Sequence, residues 1–235
     1  MLYIRLIMTI ILSVMINRNL LVHSIKSLRL MTIKKQNPLL LTITNDFIQN
    51  NNEINNNNND HNNNNINKNN NEFYMKLALR HAQHSFREKE VPIGAVITDS
   101  NGIVIATGRN QVETLKDGTA HAEILCLRKA ANVIDNWRLN DCILYTTLEP
   151  CPMCMGAIQN FRIKKVVYAA SDHRLGACGS WINLISSKHP FHNVELEKGV
   201  LEEESSILLK RFFQMRRREK NDGPILDRGT ELIEN

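Results

Sequence analysis

His121 and Glu123, two residues apart, and Cys151 and Cys154, three apart, combine an imidazole, a carboxylate and two thiols that can act on one metal centre. One imidazole and two thiolates are donors suited to zinc, and a site with only three protein ligands keeps a position open for water. Zinc of this kind lowers the pKa of water to about 7, which makes a nucleophile available at neutral pH. Glu123 sits two residues after His121, too close along a helix to share its direction fully but able to reach that water. A carboxylate so placed can take a proton from the water and return it to a leaving group.

Other zinc and thiol chemistry is possible for the same residue types. A structural zinc site is closed by a fourth protein ligand. The remaining thiols are Cys126, which follows His121, Cys142, upstream of the pair, and Cys178, downstream of it; none has finger-like spacing to the others. A redox C-x-x-C would leave His121-Ala122-Glu123 unexplained. The five cysteines are an odd number in a chain too long to need disulfide stapling, so metal-bound thiolates in a reducing compartment are the preferred reading.

The elements that must position these residues are legible in outline. An apolar stripe at Phe73, Met75, Leu77, Leu79, Ala82 and Phe86 predicts a first helix ending before Pro92. Residues 92–97 and 103–106 read as strands, joined by the turn residues Asp99-Ser100-Asn101-Gly102. Thr119 is a candidate cap for a helix through His121, Glu123, Leu125, Leu127 and Ala130. Residues 142–147 predict a buried strand, after which Pro150 would open a helix through Met153, Met155 and Ile158. The i,i+3 spacing puts both thiols on one face of that helix, and its N-terminal dipole favours thiolate. Residues 165–170 and 194–197 give two more strands, and residues 201–220 a closing helix. Strands alternating with helices predict an α/β layered domain over residues 72–220.

What surrounds that domain differs in composition. Residues 1–71 carry seven Lys or Arg and three Asp or Glu, so most of the formal +5 lies in the leader and says little about partners of the folded part. Residues 1–48 are apolar and basic, with no acid before Asp46. The apolar run from Leu6 to Ile16 is shorter than the roughly 20 residues that span a bilayer, and no A-x-A cleavage site follows. The leader suits a mitochondrial presequence or an unordered extension. Residues 49–71 form an Asn-rich linker, with Asn at 16 of the 22 positions from 50 to 71, which is expected to stay disordered. The tail, residues 221–235, carries the same expectation.

The signature H-x-E…P-C-x-x-C, here His121-Ala122-Glu123 and Pro150-Cys151-Pro152-Met153-Cys154, resembles that of the zinc-dependent nucleobase deaminases. Further segments narrow the resemblance: residues 87–96, Gly108-Arg109-Asn110, Thr119 to Ile124, Thr147 to Cys151, Gly176-Ala177-Cys178-Gly179-Ser180 and Phe212-Phe213-Gln214-Met215-Arg216-Arg217. Over residues 72–220 the chain resembles the tRNA-specific adenosine deaminases, which convert the wobble adenosine of an anticodon to inosine. The resemblance implies a three-layer α/β/α cytidine-deaminase-like fold with a mixed sheet of about five strands.

It also implies Zn2+ on His121, Cys151 and Cys154, with Glu123 as proton shuttle. Asn110 and Asp172 would hold the flipped nucleotide, and Phe213, Arg216 and Arg217 would contact the anticodon stem-loop. Without the resemblance, the basic run would read as a solvated helix end favoured by the dipole. The family works as homodimers or as heterodimers with a related subunit, in the cytoplasm, nucleus or, given the leader, the mitochondrion; no membrane association is implied. Pro152 and residues 141–146 also resemble guanine deaminases, so a free-base or nucleoside deaminase remains the alternative. A non-catalytic deaminase-fold subunit ranks below both, because Glu123 is present.

Overall fold

The computed structural model of the chain describes residues 63–186, 190 and 192–221, and for residues 63–68 the backbone alone. The leader, most of the Asn-rich linker and the tail beyond Asn221 lie outside the described residues. In chain order the elements are α1 (Asn63–Arg87), β1 (Gly94–Thr98), β2 (Val104–Arg109), α2 (Val112–Leu115), α3 (Ala122–Ile134), β3 (Ile143–Leu148), α4 (Pro152–Asn160), β4 (Lys165–Ala170), β5 (Glu195–Lys198) and α5 (Glu202–Asn221).

The strands form one five-stranded mixed sheet in the order β2-β1-β3-β4-β5. β1 is antiparallel to β2 and to β3, whereas β3, β4 and β5 run parallel. Alternate side chains serve two cores. Ala95, Ile97, Leu144, Val166 and Tyr168 pack under α3 and α4 with Leu127, Met155 and Ile158. Val96, Tyr145, Val167 and Ala169 pack against Tyr74, Met75 and Ala78 of α1. α5 covers the α1 side, where Phe212 is buried with its ring edge-on to Phe86 at 5.8 Å. The result is the expected α/β/α arrangement. Every residue of β1 is buried, as a central strand covered on both faces requires.

Three local features differ from expectation. The first helix starts at Asn63, inside the Asn-rich tract, not at Phe73. Asn is a poor helix former, but extending a helix already nucleated by the packed stripe fixes only one residue per bond. Asn71 is also held by tertiary bonds: its Nδ2 donates to Glu197 at 2.8 Å, and its Oδ1 accepts from Tyr145 at 3.1 Å. Thr119 does not cap α3: its hydroxyl donates to Asp117 at 2.7 Å, and His121 occupies the N-cap. Pro150 does not open α4 either. Pro152 fills its first turn, and Cys151 is the N-cap. Pro152 therefore has a local reason to be there, since its missing N–H is one the helix start could not have used.

Candidate active site

α3 and α4 both begin at the same end of the sheet, beyond the C-terminal ends of β3 and β4. Gln111 N–H donates to Ala120 O at 3.0 Å, which fixes the approach to His121 from the end of β2. On the other flank Ala177 N–H donates to Pro150 O at 2.8 Å, beside Cys151. These contacts bring two N-caps together, both with extended backbone: φ −69°, ψ 152° at His121 and φ −73°, ψ 170° at Cys151.

His121 Nδ1 lies 3.7 Å from Cys151 Sγ and 3.5 Å from Cys154 Sγ. Donors at tetrahedral corners around zinc, with Zn–S about 2.3 Å and Zn–N about 2.0 Å, stand about 3.6 Å apart, so the three residues fit the ion. Among the described residues this His–Cys–Cys group, whose donor atoms lie within 4.8 Å of one another, contains no fourth donor. Cys178 turns to Met155, 3.7 Å from its sulfur.

The electrostatics suit a cation. The Cys151 thiol is held down to about 4 by hydrogen bonds from Cys154 and His121, against the cost of burial. Cys154 is pushed up by sharing that hydrogen with Cys151 and by its own burial. A divalent cation removes the asymmetry, because it favours thiolate at both positions. The His121 imidazole is raised by its hydrogen bond to Cys151, against burial and with help from Glu123.

Glu123 is 3% exposed, and burial raises its carboxyl above the ordinary carboxylate range. The Thr146 hydroxyl lies 3.4 Å from Oε1, while Oε2 is buried with no hydrogen-bond partner among the described residues. An unpaired buried carboxylate oxygen costs stability and marks a functional position or a bound group. A carboxyl whose charged form is disfavoured, with one free oxygen, is suited to exchanging protons.

The remaining candidates divide into two groups. Asn110 follows β2 at this same end of the sheet and is 3% exposed. Asp172 follows β4; its N–H donates to Glu149 at 3.0 Å, and its Oδ1 accepts from Arg174 N–H at 2.9 Å and Leu175 N–H at 3.3 Å. Phe213, Arg216 and Arg217 are instead exposed on α5, in the opposite helical layer. Of the three, only Arg216 is tied to residues between α1 and β1 among the described contacts, through Glu219, which pairs with Arg216 at 3.0 Å and with Lys89 at 3.3 Å.

Two residues to which the sequence alone gave no role prove to organise the site. Glu149, buried just ahead of Cys151, accepts N–H groups from Asp172, Cys178 and Ser180. Burial pushes its carboxyl up, but these bonds and that of the Ser180 side chain outweigh it and hold the group below the usual range. Gly176 is required beside it, because a Cβ there would lie 2.4 Å from Glu149 Cδ. Glu90, also fully buried, accepts from Asn110 and from Thr114. The available signal was an acid immediately before an apolar run or a proline, since a buried carboxylate must be paired.

Comparison with known proteins agrees with this geometry. Residues 68–170 match the family model for the cytidine and deoxycytidylate deaminase zinc-binding region. The tRNA-specific adenosine deaminase of Bacillus subtilis is 43% identical over 149 residues, covering 63% of this chain and 92% of the relative. The chloroplastic tRNA(adenine(34)) deaminase of Arabidopsis thaliana is 44% identical over 161 residues, which are 62% of this chain but 12% of that much longer protein. A solved tRNA:A34 deaminase superposes with a TM-score of 0.55 at 39% identity, over 58% of this chain and 99% of its own. A guanine deaminase of Nitrosomonas europaea reaches 0.54 at 25% identity, over 60% of this chain and 83% of its own. The fold is shared by both activities, and the higher identity lies with the first. The chain belongs to the tRNA-specific adenosine deaminase family, built on a zinc-binding deaminase domain.

Proposed function

We propose that this chain hydrolyses adenosine to inosine at the wobble position of a tRNA anticodon, releasing ammonia. The observation that carries this is the three-donor His121–Cys151–Cys154 cluster beside the free, buried Oε2 of Glu123, in a chain 43% identical to a tRNA-specific adenosine deaminase. Zinc, when bound, acts as a Lewis acid that makes water nucleophilic near neutral pH.

The protein's own groups do the rest. Glu123 takes a proton from the attacking water, delivers it to the ring nitrogen beside C6 and serves the departing amine in the same way. Asn110 and Asp172 hold the extruded nucleotide at the sheet end, as an enzyme working on a flipped base requires. Phe213 stacks on the RNA, while Arg216 and Arg217 take phosphates of the anticodon stem-loop. The protein works as a dimer, with itself or with a related subunit. Its place of action is intracellular, in the cytoplasm, the nucleus or an organelle addressed by residues 1–48. The deaminase domain spans residues 72–220.

The test is incubation of the purified chain, with a candidate partner subunit in a parallel arm, with tRNA bearing wobble adenosine. Sequencing then reads inosine as guanosine. Adenosine-to-guanosine conversion at that one position supports the proposal. Unchanged tRNA together with release of xanthine from guanine would transfer the assignment to guanine deamination. Native N-terminal mass spectrometry with fractionation tests the compartment.

A further inference from the structure

The outward face of α1 carries a row of cations. Lys76, Arg80 and Arg87 are exposed, and at about 100° of turn per residue they lie within about 40° of one another. At about 1.5 Å per residue the row is about 16 Å long. None of the three is in an ion pair among the described residues. Glu88, next to Arg87, is taken by His84 at 3.3 Å and by Arg109, and Glu72, one turn before Lys76, does not pair with it. A solvated helix face is ordinarily laced with pairs of opposite sign. The helix dipole accounts for Arg87 in the last turn, but its effect fades within that turn and does not account for Lys76 or Arg80.

The row runs into α5. Phe86 meets Phe212 at 5.8 Å and Lys89 pairs with Glu219 at 3.3 Å, so Arg87 stands beside the helix that carries Arg216 and Arg217. This junction lies at the end of the sheet that holds the zinc donors, since β1 begins there and Gly94 N–H bonds the Thr147 hydroxyl at 3.1 Å, ahead of Cys151. The positive strip therefore starts at the site and runs back along α1. Gln83 is the other exposed residue on that arc, and among the described residues α1 exposes no large apolar side chain. Such a face suits phosphate and not an apolar partner.

We propose that the outer face of α1, through Lys76, Arg80 and Arg87, binds the phosphate backbone of the tRNA beyond its anticodon loop. This rests on tRNA being the substrate, as proposed above, and adds a second contact to that of the α5 arginines. An anticodon loop held at the sheet end leaves a double-stranded stem projecting from it, with phosphates along its length. Cations on one helix face can hold such a stem and fix its direction without reading its sequence.

The experiment measures equilibrium binding of full-length tRNA across a salt series, with zinc content and Tm recorded, for the unaltered protein and for Lys76→Gln/Arg80→Gln/Arg87→Gln. A charge-matched control, Arg128→Gln/Arg138→Gln/Lys164→Gln, removes exposed cations from α3 and from the turns after α3 and α4. Gln is a good helix former and the three α1 positions are exposed, so the variant is expected to fold. Its Kd should rise at least about 10-fold near 0.1 M salt, and the slope of log K against log salt should flatten by about 2 to 3. The control should stay within about threefold of the parent. The loss should be equal for a tRNA with guanosine at the wobble position, because phosphate contacts carry no sequence. In deamination assays KM should rise while kcat stays within about twofold. A variant with unchanged slope and affinity within twofold of the parent overturns the inference, as does an equal loss in the control or a loss confined to tRNA with wobble adenosine. An unaltered protein that binds tRNA but deaminates none defeats the proposed function instead, and the salt slopes still decide the α1 surface.

Discussion

Glu149 Oε1 accepts the backbone N–H of Cys178 at 2.9 Å, which binds the segment leading into Cys151 to the loop that follows β4. The same carboxylate takes Asp172 and Ser180 as well, so one buried side chain sets the path of residues 172–180.

Glu149→Gln should disturb that path. An amide can accept at one position only, so its NH2 must face at least one backbone N–H and leave it unpaired. The expected cost is about 2 kcal/mol of stability, read from urea midpoints. Gly176→Ala should do comparable damage by steric conflict, because its Cβ would lie 2.5 Å from Glu149 Oε2. Full stability in both variants would mean that the loop is held by something else.

Replacing Glu123 should separate chemistry from fold. Glu123→Ala is expected to keep zinc and RNA binding but lose turnover by at least about 100-fold. It should also raise Tm, since it removes a buried carboxylate oxygen without a partner. Near-native activity would contradict the shuttle role. Metal analysis and calorimetry on the same preparation give the other two readouts.

Cys151→Ala should lose the metal as well as turnover. Two donors hold zinc far more weakly than three, and metal binding is linked to folding. The variant is expected to contain little zinc by elemental analysis and to melt below the parent. The parent treated with a strong chelator should move toward the same melting temperature.

Stability should fall on mild acidification through His81. Burial, then the neighbouring Lys129, His84 and Arg109, pushes its imidazole down to about 4 from an ordinary value near 6.5. Above pH 6.5 it is neutral both folded and unfolded. As pH drops from 6.5 to 4 the unfolded chain takes up a proton that the folded chain refuses, so this contribution to stability is lost across that window. The loss should reach about 2 kcal/mol by pH 4.5, and His81→Gln should flatten the profile measured by denaturant midpoints. An unchanged slope would mean that other groups set the acid response.

The His121–Cys151–Cys154 cluster, which could hold a metal ion, was legible because each piece is local: His121 with Glu123, and Cys151 with Cys154 at helical spacing. The order of strands and helices followed from apolar periodicity, and all five predicted strands appear in the sheet. Helix caps were less legible. Thr119 and Pro150 are good capping and opening residues in isolation, but the backbone enters α3 and α4 at His121 and Cys151. Glu90 and Glu149 carried no visible role because their partners lie far along the chain, and only the fold brings them within reach. Asn71 shows the converse: composition marked it as spacer, while a tertiary bond to Glu197 holds it in the structure.

X-ray absorption at the zinc edge of freshly isolated protein distinguishes an open three-ligand zinc site from a closed one. An open three-ligand site gives one zinc per chain with two sulfur neighbours at about 2.3 Å and two nitrogen or oxygen neighbours at about 2.0 Å, one of them exchangeable. Three or four sulfur neighbours, a second protein nitrogen filling the last position, or protein without zinc would contradict it.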